Sequence, residues 1–488
     1  MKQLRPTSQD GLVGWVVKGC PGRGEIWVSI TTLCLADNCV PRYYGYSSFV
    51  CVCNSTYCDT MDASPQRSLV GGSYRHFVST KDGLRFDSTV ANFTRKPKIY
   101  FSMKRAMTDA SGINIASLSV NAQDNLLKSY FAPTGIEYTF IRVPIAGSDF
   151  STREYSYDDV NGDISLVHFG LAEEDYQYKI PYIKKAQALS KRKLKLFSAP
   201  WGSPKWMKKD GFIKSDYYQL WADYFIRFLD EYKKQGLHFW GLSPENEPVT
   251  PSFLGIAYPF NFVMWTPEMM VKFIVEYLGP ALSNNGYGDL LLMMLDDQRA
   301  FVPEWSEKLF TSELLKRFAS GLAVHWYNDK MSNPDILTQF HDENPDMFIL
   351  YTEACNGSWE RAENYVSSII EVLNHWVSGW VDWNLVLDLK GGPNWANNVV
   401  DSPIIVNATA DEFYKQPMFY GLGHFSKFIR AGSGRIDLQY DDNGLQGLET
   451  VAAIAPDGVI TIVVQNRQFN SDDSKGCPKE FLELDIYT

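Results

Sequence analysis

Residues 193–248 decide the fold, because they contain one complete strand–helix–strand unit: KLKLFSAPWGSP (193–204), YYQLWADYFIRFLDEYKKQ (217–235) and HFWGLSPENEP (238–248). The two outer stretches are apolar runs, which is typical of strands that are buried on both faces of a parallel sheet. The middle stretch has the period of a helix. The unit therefore predicts two parallel strands joined by a helix.

The same alternation continues on both sides of this unit. Further helix-period stretches lie at 267–282 and 362–376. KIYFSMKRAMTDA (98–110) is the best candidate for the first of eight strands. The remaining strand-like runs lie at 138–150, 290–299, 321–327, 347–357 and 378–388. This arrangement predicts an α/β fold of the (β/α)8 TIM-barrel class.

The segments outside the barrel have a different composition. Residues 37–97 are rich in Cys, Ser and Tyr, and ETVAAIAPDGVITIVVQNR (449–467) reads as a hairpin that turns at Pro-Asp-Gly. We expect the two terminal segments to build one accessory all-β domain beside the barrel. The predicted segments are a leader (1–36), the N-terminal part of the β-domain with its cysteine cluster (37–97), the barrel (98–430) and the C-terminal part of the β-domain (431–488).

Composition and missing motifs exclude several classes of function. The net charge of −11 over 488 residues argues against nucleic-acid binding, which needs clustered Lys and Arg. The sequence contains no apolar run long enough for a transmembrane span, and no GxGxxG, Walker, HExxH or GxSxG pattern. The paired aspartates of LDDQR (295–299) have no further candidate ligands beside them, so we expect no metal and no cofactor. Aromatic residues make up 14% of the chain, and their flat rings suit the apolar faces of sugars.

Several features favour the secretory pathway. IWVSITTLCLA (26–36) has the length and small-residue end of a signal-peptide core, with a mature start near Asp37. Four cysteines without histidines beside them favour two disulfides over a zinc site, and three pairings are possible. These disulfide candidates are Cys39, Cys51, Cys53 and Cys58, whereas Cys355 and Cys477 are expected to be free. The glycosylation candidates are Asn54, Asn92, Asn356 and Asn407, each with Ser or Thr two positions on.

Polar and aromatic residues close most of the predicted strands. In a parallel barrel the site lies at the C-terminal ends of the strands, so these residues are expected to meet. Cleavage of a glycosidic bond with retention needs two carboxyl groups about 5–5.5 Å apart. Glu245 and Glu247 are too close in sequence to flank one bond, so we pair Glu247 with Glu353, which closes FILYTE (348–353).

Many blocks of the sequence occur in one order that resembles glycoside hydrolase family 30, and within it the lysosomal glucosylceramidases. The resemblance runs from about Cys39 to Arg467 and includes AMTDASGINIASLS, IRVPIAGSDFS, ENEP, LDDQR, AVHWY, EAC, GWVDWNL, GGPNWANNVVDSPIIV and FYKQPMFYGLGHFSKFI. It implies a retaining β-glucosidase on a (β/α)8 barrel with β-domains, which hydrolyses glucosylceramide to glucose and ceramide. The stretch before AMTDA is shorter than in the family, which puts the first strand in question.

The resemblance also assigns residues. The second glutamate of Asn-Glu-Pro makes Glu247 the acid/base, and the glutamate of Glu-Ala-Cys makes Glu353 the nucleophile. The substrate-binding residues carried over are Asp149, Trp201, Asn246, Trp383 and Asn398 for glucose, with Phe260 and Tyr327 toward the aglycone. The charge of Glu353 is expected to keep Glu247 protonated until a glycosyl-enzyme forms. Glu245 is interpreted as a supporting residue, and His325 as a hydrogen-bonded histidine.

The expected partners follow from the lipid substrate. The resemblance implies work at a membrane surface, on the lumenal face of the lysosome, with a saposin-type activator and anionic lipids. Two alternatives remain open at this stage. One is a family 30 glycosidase with another β-glycoside substrate, and the other is an inactive paralogue that acts as a binding protein.

Overall fold

A computed structural model describes residues 16–17, 39–45, 48–61, 73–79, 85–92, 104–254, 261–355, 361–398, 400–438, 448–466 and 482–483 of the chain. Among these residues, no helix combines the length and the apolar character needed to cross a bilayer.

Eight parallel strands close into a barrel in sequence order, as predicted. They are β1 (Lys104–Ala106), β2 (Phe140–Ile145), β3 (Lys195–Pro200), β4 (Phe239–Leu242), β5 (Leu291–Gln298), β6 (Ala319–His325), β7 (Phe348–Glu353) and β8 (Val377–Asp382). The short β1 closes the barrel, because Arg105 pairs with Ile141 of β2 on one side and with Asp382 of β8 on the other. The shortened segment before AMTDA therefore still supplies a first strand.

The barrel interior is filled by side chains from alternate strand positions. One layer consists of Phe140, Phe197, Met293, Ala323, Leu350 and Val381, contributed by six different strands. The intervening residues, such as Ile141 and Leu196, instead join the larger core between the strands and the surrounding helices. This alternation follows from the pleat of the strands, and it leaves the next inward position of β2 to Arg142.

Helices surround the barrel where the helical period predicts them. The stretch 217–235 contains the helix Tyr218–Lys234, which buries Trp221, Phe225 and Phe228 on one face. The described α-helices are Asp109–Ala116, Val120–Phe131, Ile180–Leu189, Tyr218–Lys234, Thr250–Leu254, Pro267–Phe273, Gly279–Asn284, Val302–Leu309, Glu313–Lys316, Asp335–Glu343, Arg361–Asn374 and Pro417–Ser426.

The β-structure outside the barrel forms several sheets. A five-stranded sheet has the order Leu387–Asp388, Ile404–Asn407, Glu412–Lys415, Phe49–Asn54 and Pro41–Tyr43. The predicted hairpin is present as Leu448–Ile454 and Ile460–Asn466, with Gly434–Ile436 as a third strand. Short antiparallel pairs join Ser73–Val78 to Asp87–Asn92, Lys208–Lys209 to Phe212–Ile213, and Val16–Val17 to Leu482–Glu483.

The N-terminal strands pair with a strand from much later in the chain. Phe49–Asn54 pairs with Glu412–Lys415, which lies inside the range assigned to the barrel, and Arg42 forms an ion pair with Glu412. The C-terminal hairpin packs instead on the helix Arg361–Asn374, where Asn374 donates to the carbonyl of Thr450 (2.9 Å). Within the described ranges, no strand of 37–97 pairs with a strand of 431–488, and the pair Val16–Val17 with Leu482–Glu483 joins the predicted leader to the C-terminal segment. Composition marks a segment as β-structure but does not show which strand edge is open to it.

The cysteine cluster forms two disulfides. They join Cys39 to Cys51 and Cys53 to Cys58, which selects one of the three possible pairings. Cys355 is a half-buried free thiol. Cys477 and the cysteines of the predicted leader lie outside the described residues.

Candidate active site

Two glutamates meet at the C-terminal end of the barrel. Glu353 ends β7, and Glu247 lies in the loop after β4 with φ of 50°, a conformation that few non-glycine residues adopt. Its backbone N–H donates to the carbonyl of Asp296 at 2.9 Å, which holds this loop against β5. One oxygen of Glu247, one of Glu353 and a ring nitrogen of His325 lie within 4.8 Å of one another.

Arg142 connects the residues around these glutamates. Its guanidinium donates to Oε2 of Glu353 (2.5 Å), Oδ2 of Asp296 (2.8 Å) and Oδ1 of Asn246 (2.9 Å), and the side chain is fully buried. The sequence reasoning missed this residue. The feature of the sequence that indicates it is a single basic residue inside an otherwise apolar strand, FIRVPI, because burying an unpaired charge there would be costly.

His325 bridges two carboxylates at the end of β6. Its Nδ1 lies 3.1 Å from Oε1 of Glu247, and its Nε2 lies 3.1 Å from Oδ1 of Asp296. Burial alone would lower the pKa of His325, but Glu353 and the bonds to Asp296 and Glu247 outweigh it and raise that pKa to about 10. The ring is therefore an imidazolium that donates through both nitrogens, in agreement with its interpretation as a hydrogen-bonded histidine.

Glu353 is held by donors on both oxygens. Besides the bond from Arg142 to Oε2, the hydroxyl of Tyr327 donates to Oε1 at 2.7 Å. Burial raises the pKa of Glu353, whereas the charges of His325 and Arg142 oppose that rise. The donors around Glu353 thus favour the carboxylate against the cost of burying it.

An aromatic wall and a buried aspartate lie beside the glutamates. The rings of Trp201 and Trp383 stack with centroids 4.6 Å apart, and the guanidinium of Arg142 lies 4.7 Å from the Trp201 ring. Asn398 donates to Oδ2 of Asp149 at 2.9 Å, while Oδ1 of Asp149 has no partner among the described residues. Burial and then the charge of Glu353 raise the pKa of Asp149 to about 7.

Glu245 lies behind the loop and is fully buried. The indole N–H of Trp265 donates to its Oε2 at 3.4 Å, and burial raises the pKa of Glu245 well above its usual range. Burial thus favours the neutral acid, and the contact with Trp265 gives the side chain a packing role.

Among the described residues, two separate clusters contain side chains of the types that bind metals. Glu247, His325 and Glu353 form one group, but an imidazolium has no lone pair to offer a metal. Cys53, Cys58 and Asp59 form the other, and its cysteines are joined in a disulfide.

The remaining predicted residues are distributed as follows. Phe260 and Asn356 lie outside the described residues. Asn54 accepts bonds from Thr56 and Tyr57, and Asn407 donates to the hydroxyl of Tyr414. Asn92 ends a strand.

The chain is similar to known glycosidases over most of its length. Residues 102–429 match the glycosyl hydrolase family 30 TIM-barrel domain. The chain is 43% identical over 469 residues to lysosomal acid glucosylceramidase of Mus musculus, with 88% of this chain and 90% of that protein covered. It is 40% identical over 463 residues to putative glucosylceramidase 4 of Caenorhabditis elegans, with 88% of each chain covered.

A solved structure is similar as well. SrfJ from Salmonella typhimurium has a TM-score of 0.74 and 26% identity, with 81% of this chain and 92% of that chain covered. With the family domain matched over more than half of the chain, and the mouse relative matched over most of both proteins, the chain belongs to glycosyl hydrolase family 30.

Proposed function

We propose that this protein is a retaining β-glucosidase that hydrolyses glucosylceramide to glucose and ceramide, with Glu353 as nucleophile and Glu247 as acid/base. The observation that carries the proposal is the approach of Glu247 and Glu353 to within 4.8 Å at the mouth of the barrel. Carboxyl groups at this separation leave no room for a water between them and the sugar, which favours double displacement.

The first step is attack on the anomeric carbon. Glu353 forms a bond to this carbon while the bond to the ceramide oxygen breaks, and Glu247 donates its proton to that oxygen. Arg142 and Tyr327 hold Glu353 as an aligned carboxylate by donating to its two oxygens. Ester formation then removes the negative charge of Glu353.

The second step returns the enzyme to its starting state. Glu247, now ionised, accepts a proton from a water that attacks the anomeric carbon, and Glu353 leaves as a carboxylate. His325 stabilises the ionised Glu247, because its ring donates to Oε1 of that residue.

The glucose-binding residues follow from the same geometry. The stacked Trp201 and Trp383 supply a flat apolar wall, and Asp149 supplies an acceptor oxygen for sugar hydroxyls. We assign Asn398 to the same pocket, because it donates to Asp149. Asn246 is assigned to the 2-hydroxyl, and Tyr327, whose side chain is partly exposed, to the aglycone side together with Phe260.

The substrate assignment rests on the relatives. The mouse relative is a lysosomal glucosylceramidase, and the matched length includes the β-structure outside the barrel. We extend to this chain a lysosomal lumenal location, peripheral binding to membranes, a saposin-type activator and anionic lipids. A cleaved leader, glycosylation at the four sequons and the boundaries 1–36, 37–97, 98–430 and 431–488 are parts of the same proposal, as is one accessory β-domain joining both termini.

A direct test uses the full chain expressed through a secretory pathway. We expect hydrolysis of 4-methylumbelliferyl β-glucoside at pH about 5, and a loss of at least a thousandfold in kcat for Glu353→Gln. Equal activity of the two proteins would contradict the nucleophile assignment. Absence of activity in a folded wild type would favour the inactive binding protein.

The natural substrate needs a second comparison. We expect kcat/KM for glucosylceramide in vesicles to exceed that for soluble β-glucosides and β-xylosides, because the mouse relative is a glucosylceramidase. A preference for a soluble β-glycoside would instead support another specificity within the same family.

A further inference from the structure

We propose that Gln298 and His325 reserve one oxygen of Glu247, Oε1, as a permanent hydrogen-bond acceptor, so that the catalytic proton is carried and exchanged by Oε2. Gln298 is then a positioning residue that stabilises the ionised form of Glu247 as it develops in the first step. This inference rests on the proposed function, since it concerns how the acid/base works.

The two donors reach the same atom from adjacent strands. Nε2 of Gln298 donates to Oε1 of Glu247 at 2.8 Å, and Nδ1 of His325 lies 3.1 Å from that same oxygen. Gln298 ends β5 and His325 ends β6, and the two residues are register partners in the sheet. Both side chains are buried, at 4% and 0% exposure, so water does not compete freely for this oxygen.

The direction of the histidine bond follows from the charge of the ring. Nε2 of His325 faces Oδ1 of Asp296, which also accepts from the hydroxyl of Thr352 (2.5 Å), while Arg142 donates to Oδ2 (2.8 Å). Burial would raise the pKa of Asp296, but Arg142 and His325 hold it well below its usual range, so Asp296 is an acceptor and Nε2 has a proton. Burial would lower the pKa of His325, but Glu353 and the bonds to Asp296 and Glu247 raise it to about 10, so Nδ1 has a proton as well and donates to Glu247.

Two N–H donors on one oxygen determine where the acid proton can reside. A carboxyl oxygen has two lone-pair sites, and two N–H donors fill both of them, so the proton of the acid form is placed on the other oxygen. Oε1 of Glu247 is therefore the carbonyl-like oxygen of the acid form, and the proton is on Oε2. When Glu247 ionises, both donors stay in place and stabilise the new charge without rearrangement.

The arrangement affects the two chemical steps differently. A donor that binds ionised Glu247 more tightly than the neutral acid assists proton donation in the first step, where that charge develops, and makes Glu247 a weaker base in the second step. Removal of the Gln298 donor should therefore slow the first step selectively. It should also make Glu247 harder to ionise in the free enzyme.

The test compares wild type with Gln298→Met, which keeps the length of the side chain but has no donor. With phenyl β-glucoside, whose leaving group needs a proton, kcat/KM reports the first step. We expect about a tenfold lower kcat/KM for the variant, the effect of one hydrogen bond to a charged group. With 2,4-dinitrophenyl β-glucoside, whose leaving group needs no proton, kcat/KM should stay near the wild-type value.

The pH profile supplies the second readout. With 4-methylumbelliferyl β-glucoside, the basic limb of kcat/KM should move about one unit upward in Gln298→Met. Gln298→Glu provides a second variant, in which a new charge opposes ionisation of Glu247 and should move the limb further. Gln416→Met is the matched control, because Gln416 also donates to a buried carboxylate, Asp401, but away from the glutamates.

Each outcome decides the inference. A uniform loss of kcat/KM for both substrates, without a shifted limb, would assign Gln298 a packing role and overturn the inference. Unchanged kinetics in the variant would overturn it too. An active wild type with inactive Glu353→Gln keeps the proposed function in either case, whereas an inactive wild type overturns both.

Discussion

At the scale of single residues, the site depends on a buried cation that the strand pattern alone does not explain. Arg142 is fully buried and donates to two carboxylates and to Asn246. A guanidinium can make these contacts at once because its N–H groups form a planar fork, whereas an ammonium is a point charge. Arg142 therefore joins β2 to the ends of β5 and β7.

Arg142→Lys is expected to reduce kcat/KM at least a hundredfold, because Lys cannot hold Glu353 and Asp296 together. We also expect a lower free energy of unfolding, by about 3 kcal/mol, since a buried carboxylate is left unpaired. Kinetics with 4-methylumbelliferyl β-glucoside and urea denaturation measure the two effects. Arg42→Lys is the control, because Arg42 pairs with Glu412 at a partly exposed position. Similar kinetics for both variants would contradict the assigned role.

Glu245 should tolerate a neutral replacement. Because burial raises its pKa well above the usual range, Glu245→Gln keeps both shape and charge state, and we expect near wild-type activity. Glu245→Ala removes the acceptor of Trp265 and leaves a cavity, which should cost about 2–4 kcal/mol of stability. Thermal unfolding of both variants measures the difference. A strong loss of activity in Glu245→Gln, with stability retained, would instead give Glu245 a direct role in the reaction.

At the scale of secondary-structure elements, the N-terminal strands depend on a remote partner. Phe49–Asn54 is sandwiched between Pro41–Tyr43 and Glu412–Lys415, and disulfides close short loops at both of its ends. Two disulfides therefore stabilise the N-terminal part of this sheet, and strand pairing joins that part to Glu412–Lys415 near the end of the barrel segment.

Removal of the first disulfide should destabilise this sheet. Cys39 and Cys51 close a loop of sequence separation 12, so the double substitution to Ser should cost about 3 kcal/mol by chain entropy. Cys53 and Cys58 close a shorter loop, with separation 5, and their double substitution should cost about 2 kcal/mol. Urea denaturation under non-reducing conditions measures both. If neither double variant changes the urea concentration at the midpoint of unfolding, strand pairing alone stabilises the sheet.

At the scale of the whole molecule, buried acids adapt the fold to low pH. Burial is the main cause that raises the pKa of Asp149, Asp297 and Asp329 to about 7. An acid of this kind binds more protons in the folded than in the unfolded state between pH about 4 and about 7, so stability falls as pH rises through this window. His325, whose pKa is raised to about 10, contributes in the same direction at higher pH.

The free energy of unfolding should therefore be higher at pH 4.5 than at pH 7, by several kcal/mol. Urea denaturation at these two values measures the difference. Asp329→Asn, which mimics the protonated acid, should make the free energy of unfolding depend less steeply on pH. A stability that is flat, or that rises toward pH 7, would contradict this account.

The predictability of the fold differed between its parts. The barrel was predictable because most of its strands lie in apolar runs and helix-period stretches separate several of them, and both signals are local. The partner of Phe49–Asn54 was not predictable, because it lies more than three hundred residues away at Glu412–Lys415, and an open strand edge leaves no mark on either sequence.

The sequence by itself determined that Glu353 ends a strand of a parallel barrel and that Glu247 follows the end of another, and strand ends in such a barrel share one face. Only the tertiary structure decided which atoms meet. Arg142 and Gln298 were missed, because a lone basic residue or an amide acquires a role only through the partners that the barrel closure brings to it. The protonation of His325 and Glu245 was decided in the same way, since burial and neighbouring charges are properties of the folded chain.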